Sequence, residues 1–307
     1  MLIYLPIAEI PVNMFMILGM GAAVGFISGL FGVGGGFLMT PLLIFSGIPP
    51  AIAVATEASQ IAASSTTGAL AYWRRRALDV KLGSILLMGG MVGTGLGVWF
   101  FNQMRTIGQL DLIIQLSYLT LLGSIGMLML IESLRSILRE RSGKKTTKPR
   151  AGQHLWFHGL PWKMRFETSG LYVSVIPLVV LGVVIGFLGA VLGIGGGFML
   201  VPALIYLFRV PTAVVVGTSL FQILFTMIAA TVLHAITNQA VDLVLATLLI
   251  IGGVIGAQFG ARAGRNIKGE TFRLLLALIV LGVGVRFAID LALRPDELFS
   301  ITIRQTP

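Results

Sequence analysis

The sequence contains no cysteine and little charge, and each shortage excludes a class of protein. Without cysteine there is no disulfide, no thiolate metal site and no cysteine redox chemistry. Only three histidines are present, in no clustered motif, so we expect neither a metal nor a cofactor. Charged residues make up 11% of the 307 residues and hydrophobic ones 56%, whereas soluble domains carry about a quarter charged residues. This composition predicts a polytopic membrane protein.

Other absences narrow the function. The HExxH and GxSxG motifs of hydrolases are missing, so we expect no enzyme. The net charge of +10 could suggest a nucleic-acid partner. Most basic residues, however, lie in loops between apolar stretches, where they signal orientation in the lipid bilayer instead. The first 15 residues lack a basic n-region and a cleavage site, so we expect the first span to remain in the mature protein.

One glycine-rich stretch occurs twice, as GLFGVGGGFLMTP at residues 29–41 and AVLGIGGGFMLVP at residues 190–202. The repeated glycines are Gly32, Gly34, Gly35 and Gly36, then Gly193, Gly195, Gly196 and Gly197. Within apolar sequence such a run breaks a helix and leaves backbone groups without partners. Lipid tolerates this only where protein or a water-filled cavity covers the break. Two equivalent breaks indicate a transport site; close helix packing through small residues is the alternative.

Apolar stretches predict an all-α fold of two repeats, each with about five helical segments. The segments lie near 12–32, 37–47, 51–72, 80–101 and 108–135, then 170–193, 198–208, 212–235, 241–261 and 270–292. The second segment of each repeat, at about eleven residues, is roughly 16 Å long, half of a hydrocarbon core. We therefore expect a glycine-broken half-helix there, either crossing or re-entrant. The predicted domains are a first repeat at 1–135, a linker at 136–168 and a second repeat at 169–307.

An odd number of segments means that the second repeat enters the membrane from the opposite side, so the repeats should be inverted. The charges agree: this topology places 18 of the 22 lysines and arginines on one face. By the positive-inside rule that face is cytoplasmic. We therefore predict a multi-pass inner-membrane protein with a cytoplasmic linker and both termini outside. The sequence leaves the oligomeric state open.

The breaks and the helix after each of them supply candidate binding groups. Free N–H groups and the positive end of a helix dipole suit a small anion. Helical spacing places four further polar residues on one face in the first repeat, Thr56, Ser59, Gln60 and Ser64, and Thr218, Gln222 and Thr226 repeat that face in the second. Ser219, on the same helix, is a further candidate. The alternative is that these residues only form hydrogen bonds between helices.

Five ionisable residues in or beside the spans need separate interpretations. Glu57 is a carboxylate deep in a span, so it could carry a coupling proton or face a cation, or be kept neutral or paired. Its counterpart is Ser219, which confines any such role to one repeat. His234 we interpret as structural, and Arg286 as snorkelling toward an interface. Asp79 and Asp242, which begin equivalent spans, predict helix caps.

The paired GxGGGFxxxP motifs, each followed by a helix that contains Pro and Thr, resemble the repeats of the sulfite exporter TauE/SafE family, also called the toluene sulfonate uptake permease family. The resemblance covers most of the chain. It implies a carrier for small anions, often sulfite or sulfonates and on the export side, with substrate at both glycine motifs. We therefore expect a secondary transporter with alternating access between inverted repeats; an anion channel or a carrier for small organic carboxylates is the alternative. The acidic Glu57 departs from the Gly-Thr-Ser pattern seen at Gly217–Ser219.

Overall fold

The structure is a computed structural model that describes residues 2–31, 35–141, 161–166, 168–208, 210–263 and 269–292. Over these residues the chain forms ten helices and two small hairpins. Six helices are long and apolar enough to cross a membrane. The all-α, multi-pass architecture expected from the sequence is therefore confirmed.

The first half begins with a hairpin and continues into five helices. Their bounds are β1 (Leu2–Leu5), β2 (Ile10–Asn13), α1 (Met14–Phe31), α2 (Gly36–Phe45), α3 (Pro50–Arg74), α4 (Val80–Ile107) and α5 (Leu110–Arg141). Helix α2 has ten residues, as expected for a half-helix. Helix α3 spans roughly 37 Å at 1.5 Å per residue, yet it is not one of the six apolar spans because its middle is polar.

The second half repeats this order. Its elements are β3 (Lys163–Phe166), β4 (Leu171–Ser174), α6 (Val175–Leu192), α7 (Gly197–Tyr206), α8 (Thr212–Leu233), α9 (Leu243–Ala263) and α10 (Gly269–Ala292). Helix α8 ends in a π-helical turn, His234–Asn238. Strand β3 and the end of α5 fall within the range assigned to the linker, while residues 142–160 lie outside the described part of the chain.

The two hairpins correct the predicted starts of both repeats. The helical segments predicted to begin near residues 12 and 170 begin instead at Met14 and Val175, because strands β2 and β4 directly precede these helices. Both hairpins are antiparallel, with Leu5 paired to Ile10 and Phe166 paired to Leu171. The sequence does not reveal these strands, because a four-residue strand with alternating burial has a composition similar to that of the first turn of the following helix.

Helix pairs from the two halves pack in equivalent ways. Helix α1 packs on α9, α6 packs on α4 in the corresponding manner, and α3 packs on α8. Glycines allow the crossings: a Cβ on Gly93 would collide with the Val183 carbonyl, and one on Gly256 with the Ala22 carbonyl. Small residues let helix backbones approach closely in membranes. That the repeats are inverted stays a prediction.

The described residues separate into two compact units. One is built from Met1–Ile114 and Gly143–Lys268, the other from Gln115–Ser142 and Gly269–Pro307. In the second unit the rings of Tyr118 and Phe287 stack with centroids 5.4 Å apart. Both glycine breaks and all the polar residues of α3 and α8 belong to the first unit.

Candidate functional site

Each glycine stretch separates a long helix from the ten-residue helix that follows it. Helix α6 ends before Gly193, whose φ of 67° is left-handed, and α7 begins after Gly196, with φ of 75°. In the first half α2 begins at Gly36 after Gly35. Gly32 and Gly34 lie outside the described residues. The first N–H groups of α2 and α7 have no acceptor within their own helices, as at any helix start.

The structure brings the two breaks together. A Cβ on Gly36 would lie only 2.8 Å from the carbonyl oxygen of Gly193 and 3.0 Å from that of Ile194. Directly after the breaks, the rings of Phe37 and Phe198 stack with centroids 4.5 Å apart and planes 14° apart. Gly36, Gly193 and both rings are buried. The two half-helices therefore start at one enclosed place.

Helix α3 lies along the breaks through residues on one of its faces. The backbone of Val54 is so close that a Cβ on Gly193 would come within 2.9 Å of its carbonyl oxygen. About two turns further along the same face, the Ile61 side chain would obstruct a Cβ on Gly36 and one on Gly195. Residues three and four apart share a helical face, so Glu57 lies on the face between Val54 and Ile61. The carboxylate singled out in the sequence thus belongs to the helix surface that meets the breaks.

Helix α8 makes the corresponding, looser approach. The Ile223 side chain would lie 3.7 Å from a Cβ on Gly195. Ser219 is one helical turn before Ile223, as Glu57 is one turn before Ile61. The non-identical pair, Glu57 and Ser219, therefore occupies matching positions on two helices that pack together.

Two of the predicted site residues make structural hydrogen bonds between the halves. The Thr56 hydroxyl accepts a hydrogen bond from the Asp242 N–H at 3.0 Å, and Thr218 accepts one from the Asp79 N–H at 3.1 Å. All four residues are buried. For the two threonines, the structure therefore supports the alternative of hydrogen bonding between helices.

The two aspartates are helix caps, as predicted, and they also hold the hairpins. Asp79 accepts from the Leu82 N–H at 3.0 Å and Asp242 from the Leu245 N–H at 3.1 Å. The second carboxylate oxygen of Asp79 accepts from the Ser169 hydroxyl at 2.6 Å. That of Asp242 accepts from the N–H of Ile7 at 2.9 Å. Each hairpin is thus tied to a helix of the other half.

Four predicted site residues remain buried without satisfying their polar atoms. Within the described part of the chain, no hydrogen bond is made by either carboxylate oxygen of Glu57, by Gln60 Oε1, by the Ser219 hydroxyl or by either amide atom of Gln222. Each such atom costs about 1–3 kcal/mol when buried unpaired. The alternative of hydrogen bonding between helices therefore does not account for these atoms, which have bonding capacity left for a ligand.

Among the described residues, Ser59 differs from these four, whereas Thr94 resembles them. The Ser59 hydroxyl donates to the Thr56 carbonyl at 2.6 Å, so it is satisfied within its own helix. Thr94 on α4, which the sequence reading missed, is fully buried with an unpaired hydroxyl. It follows Gly90 by four residues, and Gly90 lies against the Gln222 amide. The only sequence signal for Thr94 was its position in a glycine-rich helix.

Two titratable residues have structural partners. The His234 Nε2 lies 3.0 Å from the Ala190 carbonyl and its Nδ1 lies 2.9 Å from the Asn238 amide nitrogen. A carbonyl only accepts, so Nε2 carries the proton and Nδ1 accepts from Asn238. Arg286 forms an ion pair with Asp290 at 3.4 Å, four residues along α10, with more than half of its side chain exposed. Among the described residues, no cluster suited to a metal ion is present.

Comparisons with known proteins cover almost the whole chain. The family model described as Sulfite exporter TauE/SafE matches residues 17–287. The chain is 27% identical over 281 residues to "Probable membrane transporter protein YunE" of Bacillus subtilis, which covers 86% of this chain and 93% of that protein. It is 29% identical over 284 residues to a "Probable membrane transporter protein" of Xylella fastidiosa, covering 89% and 94%. No solved structure matches the chain significantly. The matched range contains both breaks and helices α3 and α8.

Proposed function

The chain belongs to the sulfite exporter TauE/SafE family, and we propose that it is a secondary transporter that exports a small anion such as sulfite or an organosulfonate. The family consists of membrane transporters and not enzymes, and this chain is a multi-pass member of it. In the proposed mechanism, the joined breaks form the substrate site. The two halves then expose that site alternately to the two sides of the membrane.

One observation carries the proposal: the two breaks meet inside the protein next to buried polar groups that lack partners. Gly36 lies against the carbonyls of Gly193 and Ile194, and Glu57 and Ser219 lie on the helix faces that approach this point. If these positions served only close packing between helices, apolar residues would stabilise the protein more, since unpaired buried polar atoms are costly. Retaining them is consistent with a site that a polar substrate completes.

The donors at this place favour an anion. The helix starts at Gly36 and Gly197 offer N–H groups and the positive end of a helix dipole. On α8, the Ser219 hydroxyl and the Gln222 amide, which lies toward Gly90 of α4, can each donate a further hydrogen bond. A tetrahedral or pyramidal oxyanion has several acceptor oxygens to match them. Sulfite and sulfonates meet this description, and so do small carboxylates.

Glu57 is the proposed proton carrier. An ionised carboxylate would repel an anion bound at the breaks, whereas a protonated carboxyl can donate a hydrogen bond to it. Burying an unpaired charge costs several kcal/mol, so proton and anion would occupy this site together. A divalent anion with one proton keeps a net negative charge, which an inside-negative membrane potential drives outward. Because Ser219 occupies the equivalent position, only one half would bind the coupling proton.

The orientation of the protein in the membrane is proposed from its charges. Six basic residues cluster at the end of the molecule that carries the β3–β4 hairpin, and uncharged ones occupy their equivalents at the other end. The six are Arg74, Arg75, Arg76, Lys81, Lys163 and Arg165. The positive-inside rule supports a cytoplasmic location for this end, with both termini outside.

Flux measurements in proteoliposomes test the proposal. We expect sulfite or a sulfonate to accumulate against its gradient when a proton gradient is imposed, and we expect Glu57→Gln to abolish the accumulation. Glu9→Gln, at an exposed carboxylate of the β1–β2 turn, is the matched control and should transport normally. Purely downhill flux in the wild type would instead support an anion channel. Uphill transport by Glu57→Gln with an unchanged pH dependence would refute proton coupling.

A further inference from the structure

A surface cavity lies beside the β3–β4 hairpin, away from the glycine breaks in the chain. Its volume is about 610 Å³, and it is lined by Arg165, Phe166, Gly170, Leu171 and Tyr172. Ligand pockets commonly occupy about 300–1,000 Å³. The lining combines a guanidinium with aromatic and aliphatic surface. It therefore suits a ligand with an anionic part and an apolar part.

Three cations converge on this hairpin. The alternating burial of β3 exposes both Lys163 and Arg165 on the same face. The Lys81 ammonium group donates a hydrogen bond to the Arg165 carbonyl at 3.2 Å, which holds a third charge against the strand. The nearby Asp79 carboxylate is buried and already accepts hydrogen bonds from Ser169 and Leu82. Among the described residues, none forms an ion pair with these three cations.

The fold itself does not require these charges. The β1–β2 hairpin has the same strand lengths and the same burial pattern, but Leu2 and Tyr4 stand where the other has Lys163 and Arg165. Val244, the second residue of α9, similarly replaces Lys81 at the second position of α4. Both hairpins are held by an equivalent aspartate. The cations are thus an addition to one of two equivalent structures, at the same end whose positive charge supports the proposed cytoplasmic orientation.

The surroundings indicate a lipid and not a soluble anion. Trp73, Trp162 and Tyr172 are exposed around the hairpin, Trp162 to 77%. Tyr172 pairs directly with Arg165 in the two-stranded ladder. Exposed Trp and Tyr side chains are typical of the headgroup level of a membrane. Basic groups at that level attract anionic lipids.

We propose that the cavity beside the β3–β4 hairpin binds an anionic phospholipid. Arg165, which lines the cavity, contacts its phosphate, and Lys81 and Lys163 add positive charge beside it. Leu171 and Tyr172 lie along the glycerol and the start of the acyl chains. The lipid fastens the hairpin against the first turn of α4. This inference does not depend on the proposed substrate or on proton coupling.

Thermal unfolding in lipid nanodiscs tests the lipid site. The full chain is placed in phosphatidylcholine nanodiscs with or without phosphatidylglycerol, and the unfolding midpoint is measured. Because a ligand that binds the native state stabilises it, we expect phosphatidylglycerol to raise the midpoint of the wild type by several degrees. The double variant Lys163→Gln/Arg165→Gln should lose this rise. Arg74→Gln/Arg75→Gln removes the same charge at the same end of the molecule and should keep it.

Three results of the unfolding measurement would overturn the proposal. The wild type could show no rise, or the two double variants could lose it equally, which would mean diffuse surface attraction. Inorganic phosphate could give the full rise in phosphatidylcholine nanodiscs, which would make the occupant a soluble anion. Native mass spectrometry gives a second measurement that does not depend on folding stability. The wild type should retain more phosphatidylglycerol per chain than Lys163→Gln/Arg165→Gln, and equal retention would contradict the site.

Discussion

Replacing Gln222 by methionine separates a role in substrate binding from a role in the fold. Gln222 is 1% exposed, and neither of its amide atoms makes a hydrogen bond among the described residues. Methionine has a similar unbranched shape without the amide, so it fills the same space next to Gly90. If the amide serves the substrate, the variant loses transport without losing stability.

The structure sets the size of both effects. An amide buried without a partner costs about 1–3 kcal/mol in protein mutational data, and the substitution recovers this cost. At roughly 2–4 °C per kcal/mol, the unfolding midpoint should rise by about 2–12 °C. A hydrogen bond to a charged ligand contributes about 1.5–3 kcal/mol, so its loss should lower the transport efficiency roughly 10- to 150-fold.

The assay compares anion flux in proteoliposomes with thermal unfolding of the same preparations. Thr226→Val is the matched control, because the Thr226 hydroxyl donates to carbonyls of its own helix at 3.0 and 3.1 Å; its transport should stay near that of the wild type. A lower midpoint for Gln222→Met would show that the amide supports the fold. Unchanged flux would show that it does not contact the substrate. Either result refutes the reasoning.

Three further predictions concern the frame that holds the site. Thr218→Val leaves a buried N–H unpaired and should cost about 1–3 kcal/mol in unfolding free energy; Ser59→Ala should be nearly neutral, and equal effects would contradict the link between the halves. Gly93→Ala forces a Cβ into the Val183 carbonyl and should cost about 1–3 kcal/mol, whereas Gly95→Ala, with open space around it, should not destabilise; unfolding midpoints decide. Asp242→Ala should speed amide hydrogen exchange in the β1–β2 hairpin and in the first turn of α9, which Asp242 caps, and equal acceleration in the β3–β4 hairpin would refute separate tethers.

The sequence predicts the helices well because each depends on local composition. The length and hydropathy of each apolar stretch predict a helix, and a run of three glycines shows where the half-helices begin at Gly36 and Gly197. The hairpins are missed because a four-residue strand is too short to give a periodicity of its own. A helix and a strand cannot be distinguished in an apolar run of that length.

The candidate site is only partly predictable for a different reason. Its polar residues are visible in the sequence, but their partners are far away in the chain. Thr56 bonds to Asp242, 186 residues further on, and Asp79 bonds to Ser169 across 90 residues. Helical spacing places Thr56, Ser59 and Gln60 together on one helix face and cannot tell which of them is already satisfied. Tertiary contacts make that distinction, and they divide one apparent polar face into structural and unsatisfied residues.

The structural residues are repeated in both halves, whereas the unsatisfied residues include a position that is not repeated. The residues that hold the frame together occur in both halves: the threonines that accept an N–H, the aspartates that cap a helix and hold a hairpin, and the glycines at the crossings. Two matching frames let an arrangement that opens toward one side recur for the other side at similar energy, which alternating access requires. Coupling to a proton needs no such balance, since the proton can bind once per cycle at one place. Glu57 opposite Ser219 is the unmatched position among the unsatisfied residues of α3 and α8, so the proposed mechanism predicts that exchanging them, as Glu57→Ser with Ser219→Glu, moves proton binding to the other half while the rest of both helices stays unchanged.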